Sequence, residues 1–138
     1  MQEIVLRGRG VFPGIAEGHA LVTRTPISGF GGIQPLSGTI TERRHELVGQ
    51  SFKDRVLVFP GAKGSSGWAS NFQASRLAGA APKAMVFCKM STKIALGVVV
   101  MRVPAVTELE ADPLKLINTD DHVRVDGEQG LVIIRRST

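Results

Sequence analysis

Residues 55–67 read Arg55-Val56-Leu57-Val58-Phe59-Pro60-Gly61-Ala62-Lys63-Gly64-Ser65-Ser66-Gly67. The run 55–59 is apolar and β-branched after its first residue, the pattern of a strand buried on both faces. Pro60 and three glycines end it, and 68–79 follows with helical potential: Trp68, Phe72 and either Ser75 or Arg76 share one face. Downstream, 84–88 (AMVFC) is a second buried strand. Residues 91–97 suggest a helix with Ser91 or Thr92 as N-cap, and 103–106 a third strand. This β-α-β-α-β order predicts parallel strands joined by right-handed crossovers.

Outside that unit the pattern is β-rich. Residues 3–7 and 18–23 carry strand signals, and the GRGVFPGIAEG stretch between them is dense in turn residues. A long glycine-rich connection, TPISGFGGIQPLSG, leads to a brief strand at 39–41 and a turn-like 45–51. Connections of that length are usually functional or disordered. At the other end, 112–117 fits a helical turn, and 122–126 with 131–135 a hairpin closed by 127–130. The expectation is one α/β domain over 1–138: a central, partly parallel sheet, flanking helices, and a second β layer from both ends.

The 138 residues are 43% hydrophobic and 21% charged, ordinary globular usage. The longest apolar run, 94–101, is far short of the ~20 residues that span a membrane. The opening MQEIVLRGRG resembles neither a signal peptide nor a lipidation site, so the expected compartment is the cytoplasm. Net charge is +5, and its distribution is uneven. Residues 56–102 hold Lys63, Arg76, Lys83, Lys89, Lys93 and Arg102 with no acid among them. Such a zone is either a solvated face or a field that attracts an anionic ligand or acidic partner. Nucleic acid is a poor fit, because the zone offers few aromatic side chains for bases to stack on.

The loop at 60–67 carries the most chemistry. It should lie at the carboxyl end of a strand, where open α/β sheets bind ligands. Gly61, Gly64 and Gly67 would permit positive φ and close backbone approach. Ser65 and Ser66 would stand at a helix start whose free N–H groups favour negative charge, with Lys63 adding a cation. The spacing G-x-x-G-x-x-G matches neither the dinucleotide fingerprint, nor the P-loop, nor the nucleophile elbow. Residues alone leave a plainer alternative open, a serine N-cap after a glycine turn. The acid-free surroundings favour anion binding.

His19, His45 and His122 have no metal-ligand spacing and none follows the loop, so each is expected as a surface or packed side chain. Cys88, the single cysteine, reads as a small core residue and cannot hold an iron–sulfur cluster without ligands from elsewhere. A serine hydroxyl is feeble until something activates it. The missing parts point to a partner.

The succession GFGGIQPLSGTITERRHELVGQSFKDRVLVFPGAKGSSG (29–67) resembles the small-subunit family of aconitase X. The likeness extends through GRGVFPGIAEGHALVTRTPIS (8–28), PKAMVFCKMSTKIALGVVVMRVPAV (82–106) and DHVRVDGEQGLVII (121–134). It implies a swivelling β/β/α domain that closes over a large subunit carrying iron or a cysteine-bound iron–sulfur cluster, with no cofactor bound by this chain alone. The implied activity is dehydration of a hydroxy acid, cis-3-hydroxy-L-proline or mevalonate 5-phosphate. Ser65 would be the catalytic serine that handles the proton. Gly64, Ser66 and Lys63 would contact the anionic substrate, with Gly31 and Gly32 facing it across the cleft. Gly67-Trp68 departs from the small residues that follow the serines in relatives, so the indole would reshape the pocket. The competing readings are a phosphoryl-carrier-like swivel, which needs a loop histidine, and a non-catalytic basic binding module.

Overall fold

The computed structural model describes residues 2–28, 32–63 and 68–136, apart from the side chains of Lys63, Trp68 and Lys93. In chain order the elements are β1 (Gln2–Arg7), β2 (Arg9–Phe12), β3 (Ile15–Val22), β4 (Ile27–Ser28), β5 (Ile33–Gln34), β6 (Thr39–Ile40), β7 (Val56–Phe59), β8 (Ala62–Lys63), α1 (Trp68–Leu77), β9 (Ala84–Phe87), α2 (Thr92–Met101), β10 (Ala105–Thr107), α3 (Pro113–Leu116), β11 (His122–Asp126) and β12 (Leu131–Arg136). Eight of the strands form one sheet in the order β1-β12-β11-β3-β7-β9-β10-β2.

Its centre is parallel. β7 pairs with β9 and β9 with β10, as expected from the sequence, and β3 pairs parallel to β7 on the other side. Every residue of β7 and β9 is buried, and alternation sends them to two different cores. Leu57, Phe59, Met85 and Phe87 pack with Phe72 of α1 and with Ile94, Val98 and Met101 of α2. Val56, Val58, Ala84 and Val86 pack with Val123, Val125, Val132 and Ile134 of the β11–β12 hairpin. The one sheet thus folds over itself, its β11–β12 part packing on the parallel strands, and with the helices on the other face the result is three layers.

α1 ends at Gly79, whose φ of +76° and bonds Gly79 N→Arg76 O and Ala80 N→Ser75 O make a Schellman cap. Ser75, not Arg76, faces the core; Arg76 instead donates from Nε to the Val100 carbonyl of α2 at 2.7 Å. α2 is capped by Ser91, whose hydroxyl accepts from Ile94 N, and runs four residues past the expected end. Packing on α1 carries the helix through Gly97 and the β-branched run 98–100, whose intrinsic preference is weaker. Arg55 lies just outside its strand. It donates to the His19 and Ala20 carbonyls and pairs with Asp120, tying β3 to the start of β11.

Residues 9–12, expected to be turn, are strand β2, paired antiparallel with β10. The glycines there serve close approach. A Cβ on Gly10 would lie 1.9 Å from the Gly127 carbonyl oxygen, and one on Gly127 would lie 1.7 Å from that of Phe12. Bare backbone on both sides lets the β11–β12 turn sit directly on β2. Among the described residues no helix is long and apolar enough to cross a membrane.

Candidate functional site

The site forms where β7 and β9 end together. Phe59 and Phe87 are register partners, and the chain leaves them as two adjacent loops joined by Lys89 N→Pro60 O at 3.1 Å. Past Pro60, Ile27 N donates to Gly61 O, and the two-residue strand β8 pairs parallel with β4: Ile27 with Ala62, Ser28 with Lys63. The strand leading to residues 29–31 and the strand leading to 64–67 therefore end side by side.

Gly31, Gly64, Ser65 and Ser66 lie outside the described residues, as does Gly67. Gly32 is buried, and its carbonyl accepts from Thr41 N. A Cβ there would stand 2.1 Å from the Ser28 carbonyl oxygen, so the chain returns to touch the end of β4. Lys63 is placed by its backbone in β8. Gly61 departs from expectation: its φ is not positive, and a Cβ would meet nothing nearer than 3.8 Å. No steric need for glycine exists at that position.

Beside residues 60–62 is a cavity of about 380 Å3, with Pro26, Pro60, Gly61, Cys88, Lys89 and Ser91 in its lining. α2 begins at this cavity and α1 begins directly after 64–67, and neither has an acid in its first turn. Two helix N-termini at one sheet edge favour negative charge between them. The cationic zone is bordered in space, however. A neighbouring cavity of about 420 Å3 shares Pro60 and Cys88 and is lined by Glu108, Glu110 and Asp112. Burial, with Asp112 adding negative charge, raises the Cys88 thiol above its ordinary pKa, so it stays protonated and unreactive near neutrality.

Sequence reasoning missed what holds the loop bases in place. His45 is buried; its Nδ1 accepts from Leu47 N at 3.0 Å, which leaves Nε2–H to donate to the Thr25 carbonyl at 3.2 Å. Glu46 Oε1 accepts from Thr23 Oγ1 at 2.5 Å and from Arg24 N. These bonds hold the Glu46 carboxyl below its ordinary pKa, the Thr23 hydroxyl contributing most. Segment 42–47 thus clasps 23–25, two residues before β4. Each contact joins residues about twenty apart, so no local pattern announces them.

The other histidines are elsewhere. His19 and His122 meet edge to face at 6.3 Å beside a cavity of about 840 Å3 that also contains Glu3, Asp120 and Asp121. That cavity is at the opposite end of the sheet, since Ala20 pairs with Val56, the first residue of β7. Its walls are tied by the pairs Arg135–Glu3 and Arg136–Asp121. None of the three histidines lines the cavity beside residues 60–62, and the 60–67 loop, where a phosphoryl carrier needs its histidine, contains none.

Residues 5–134 match the family model described as the aconitase X swivel domain. The chain is 36% identical over 132 residues to the phosphomevalonate dehydratase small subunit of Methanosarcina acetivorans, covering 96% of this chain and 92% of that one. It is 37% identical over 127 residues to the protein of the same name from Methanocella arvoryzae, covering 92% and 96%. Among solved structures, that of Thermococcus kodakaraensis aconitase X in its holo-form superposes with a TM-score of 0.90 at 33% identity, over 96% of this chain and 99% of that one.

Proposed function

Because the chain belongs to the aconitase X swivel family, we propose that it is the small subunit of a hydro-lyase that dehydrates mevalonate 5-phosphate. It acts as a single domain whose Ser65 hydroxyl handles the proton. The observation that carries this reading is the β4–β8 pairing, which starts the 29–31 and 64–67 stretches from hydrogen-bonded neighbours. Two stretches separated by more than thirty residues can then face one substrate.

Elimination of water removes a proton from one carbon and hydroxide from the next, and this chain's share is the proton. Ser65 takes it from the substrate carbon. The hydroxyl is weak by itself, and the positive ends of helix dipoles, aided by the charge of Lys63, stabilise the alkoxide form that accepts it. Gly64 and Ser66 hold the substrate's negative groups, and Gly31 and Gly32 close the opposite wall. Mevalonate 5-phosphate is preferred to cis-3-hydroxy-L-proline on two grounds. The relatives carry the phosphomevalonate dehydratase name, and an edge with two acid-free helix starts suits a phosphate as well as a carboxylate.

The family implies iron, and this chain's donors do not fit it. There is one cysteine, and among the described residues no group of three His, Cys, Asp or Glu could hold a metal ion. The iron–sulfur cluster or iron belongs to the large partner subunit.

The test is Ser65→Ala in the two-subunit complex. Melting temperature and subunit association stay at wild-type values while dehydration is lost. Near-normal turnover overturns the assignment of Ser65.

A further inference from the structure

Helix α2 (TKIALGVVVM) has no charged residue from Ile94 to Met101. Ile94, Val98 and Met101 are buried against the sheet, while Leu96 and Val99 are 56% and 55% exposed. Leu96 and Val99 are three apart and share the outer face. A helix that is apolar all round is one covered all round. Among the described residues, those packed on α2 cover only its inner side.

We propose that the outer face of α2 docks the large partner subunit, on a surface that is apolar at its centre and acidic at its rim. The inference rests on the two-subunit reading above. Its charge argument is local. Lys89 precedes the helix and Arg102 caps it; both are exposed, and among the described residues neither makes an ion pair. Arg76 adds a third cation where α1 meets the Val100 carbonyl. Along the chain no Asp or Glu occurs between 55 and 107, and the acids that folding brings near, Glu108, Glu110 and Asp112, line the neighbouring cavity on the Pro60 and Cys88 side. A two-fold pair of this chain would set the same patch against itself, cation facing cation. A partner with an acidic rim satisfies those charges instead, and complementary charge fixes orientation as well as speeding encounter. The placement suits assembly of the site. α2 begins at Ser91, in the wall of the loop cavity, and ten helical residues span only about 15 Å. A subunit gripping this face reaches the cavity's mouth.

The experiment uses the full chain and the purified large subunit, with binding followed by calorimetry at two salt concentrations. The double variant Leu96→Glu/Val99→Glu is expected to weaken binding by about tenfold or more, the loss typical of a central apolar contact. Leu96→Lys/Val99→Lys is expected to lose less. Val5→Glu, an exposed apolar residue on β1, leaves binding unchanged. Added salt weakens the wild-type complex. Amide hydrogen exchange over 92–101 slows on complex formation, a readout that needs no variant to fold. The proposal is overturned if the glutamate pair binds as wild type, if the lysine pair binds more weakly than the glutamate pair, or if α2 gains no protection. It is equally overturned if the chain alone forms a dimer that the glutamate pair dissolves, because a second copy is then the occupant. Dehydration is assayed separately on the same complex. A complex that assembles through α2 and turns over neither candidate substrate refutes the functional reading and leaves the docking surface standing.

Discussion

Replacing Gly32 with alanine tests the geometry on which the site depends. The new Cβ would lie 2.1 Å from the Ser28 carbonyl oxygen and 2.9 Å from the Ser28 Cβ. Tolerable contact needs about 1 Å of movement, and a close-packed interior gives little of it freely. The clash is with main chain, so no rotamer change relieves it. Overpacking of this kind costs about 1–3 kcal/mol. For a chain of this size that is a fall in melting temperature of roughly 3–12 °C. The displacement does not stop at Ser28, whose β-ladder partner is Lys63. A shift of about 1 Å at a reacting centre can cost about a hundredfold in rate. Turnover of the assembled enzyme should therefore fall much further than stability. Gly61→Ala is the internal comparison, because its Cβ would meet only ordinary contacts at 3.8 Å and its φ is not positive. That variant should melt at the wild-type temperature or slightly higher, since alanine narrows the unfolded ensemble. Thermal denaturation and single-turnover dehydration read both. The reasoning is refuted if Gly32→Ala keeps wild-type stability and rate, or if Gly61→Ala is the more damaging change.

Other expectations follow from the clasp and the core. His45→Asn keeps an acceptor near Leu47 N but cannot reach the Thr25 carbonyl; with the lost ring packing it should cost about 1–3 kcal/mol in urea denaturation. Glu46 has its folded-state pKa below the ordinary 4.5, so its contribution is complete above that pH and fades as pH falls through the folded value. Stability curves of wild type and Glu46→Gln should accordingly converge in acid and separate above about pH 4.5; parallel curves would show the clasp to be idle. Phe72 is fully buried and stacked on Phe52 at 5.5 Å, and Phe72→Ala should cost about 3–5 kcal/mol by chemical denaturation.

The layered architecture was legible because β7 and β9 are continuous apolar runs and the hairpin alternates, patterns that depend only on near neighbours in sequence. β2 was not, because Gly8 and Gly10 look the same in a sequence whether they make a turn or admit another backbone. The second half of α2 was obscured by Gly97 and three valines, residues whose helical state is decided by packing on α1. Loop 60–67 could be placed at a strand end from sequence, but its neighbour could not. β4 and β8 are two residues each, too short to leave a period. The charge pattern was half legible: the acid-free zone is real along the chain, yet folding brings Glu108, Glu110 and Asp112 to the edge of Cys88.

The most direct measurement is formation of dehydrated product from mevalonate 5-phosphate by this chain alone, by the purified large subunit alone, and by the two mixed. The account predicts turnover only in the mixture, rising with added small subunit until the two chains are matched. Turnover by the large subunit alone at the rate of the mixture would contradict it.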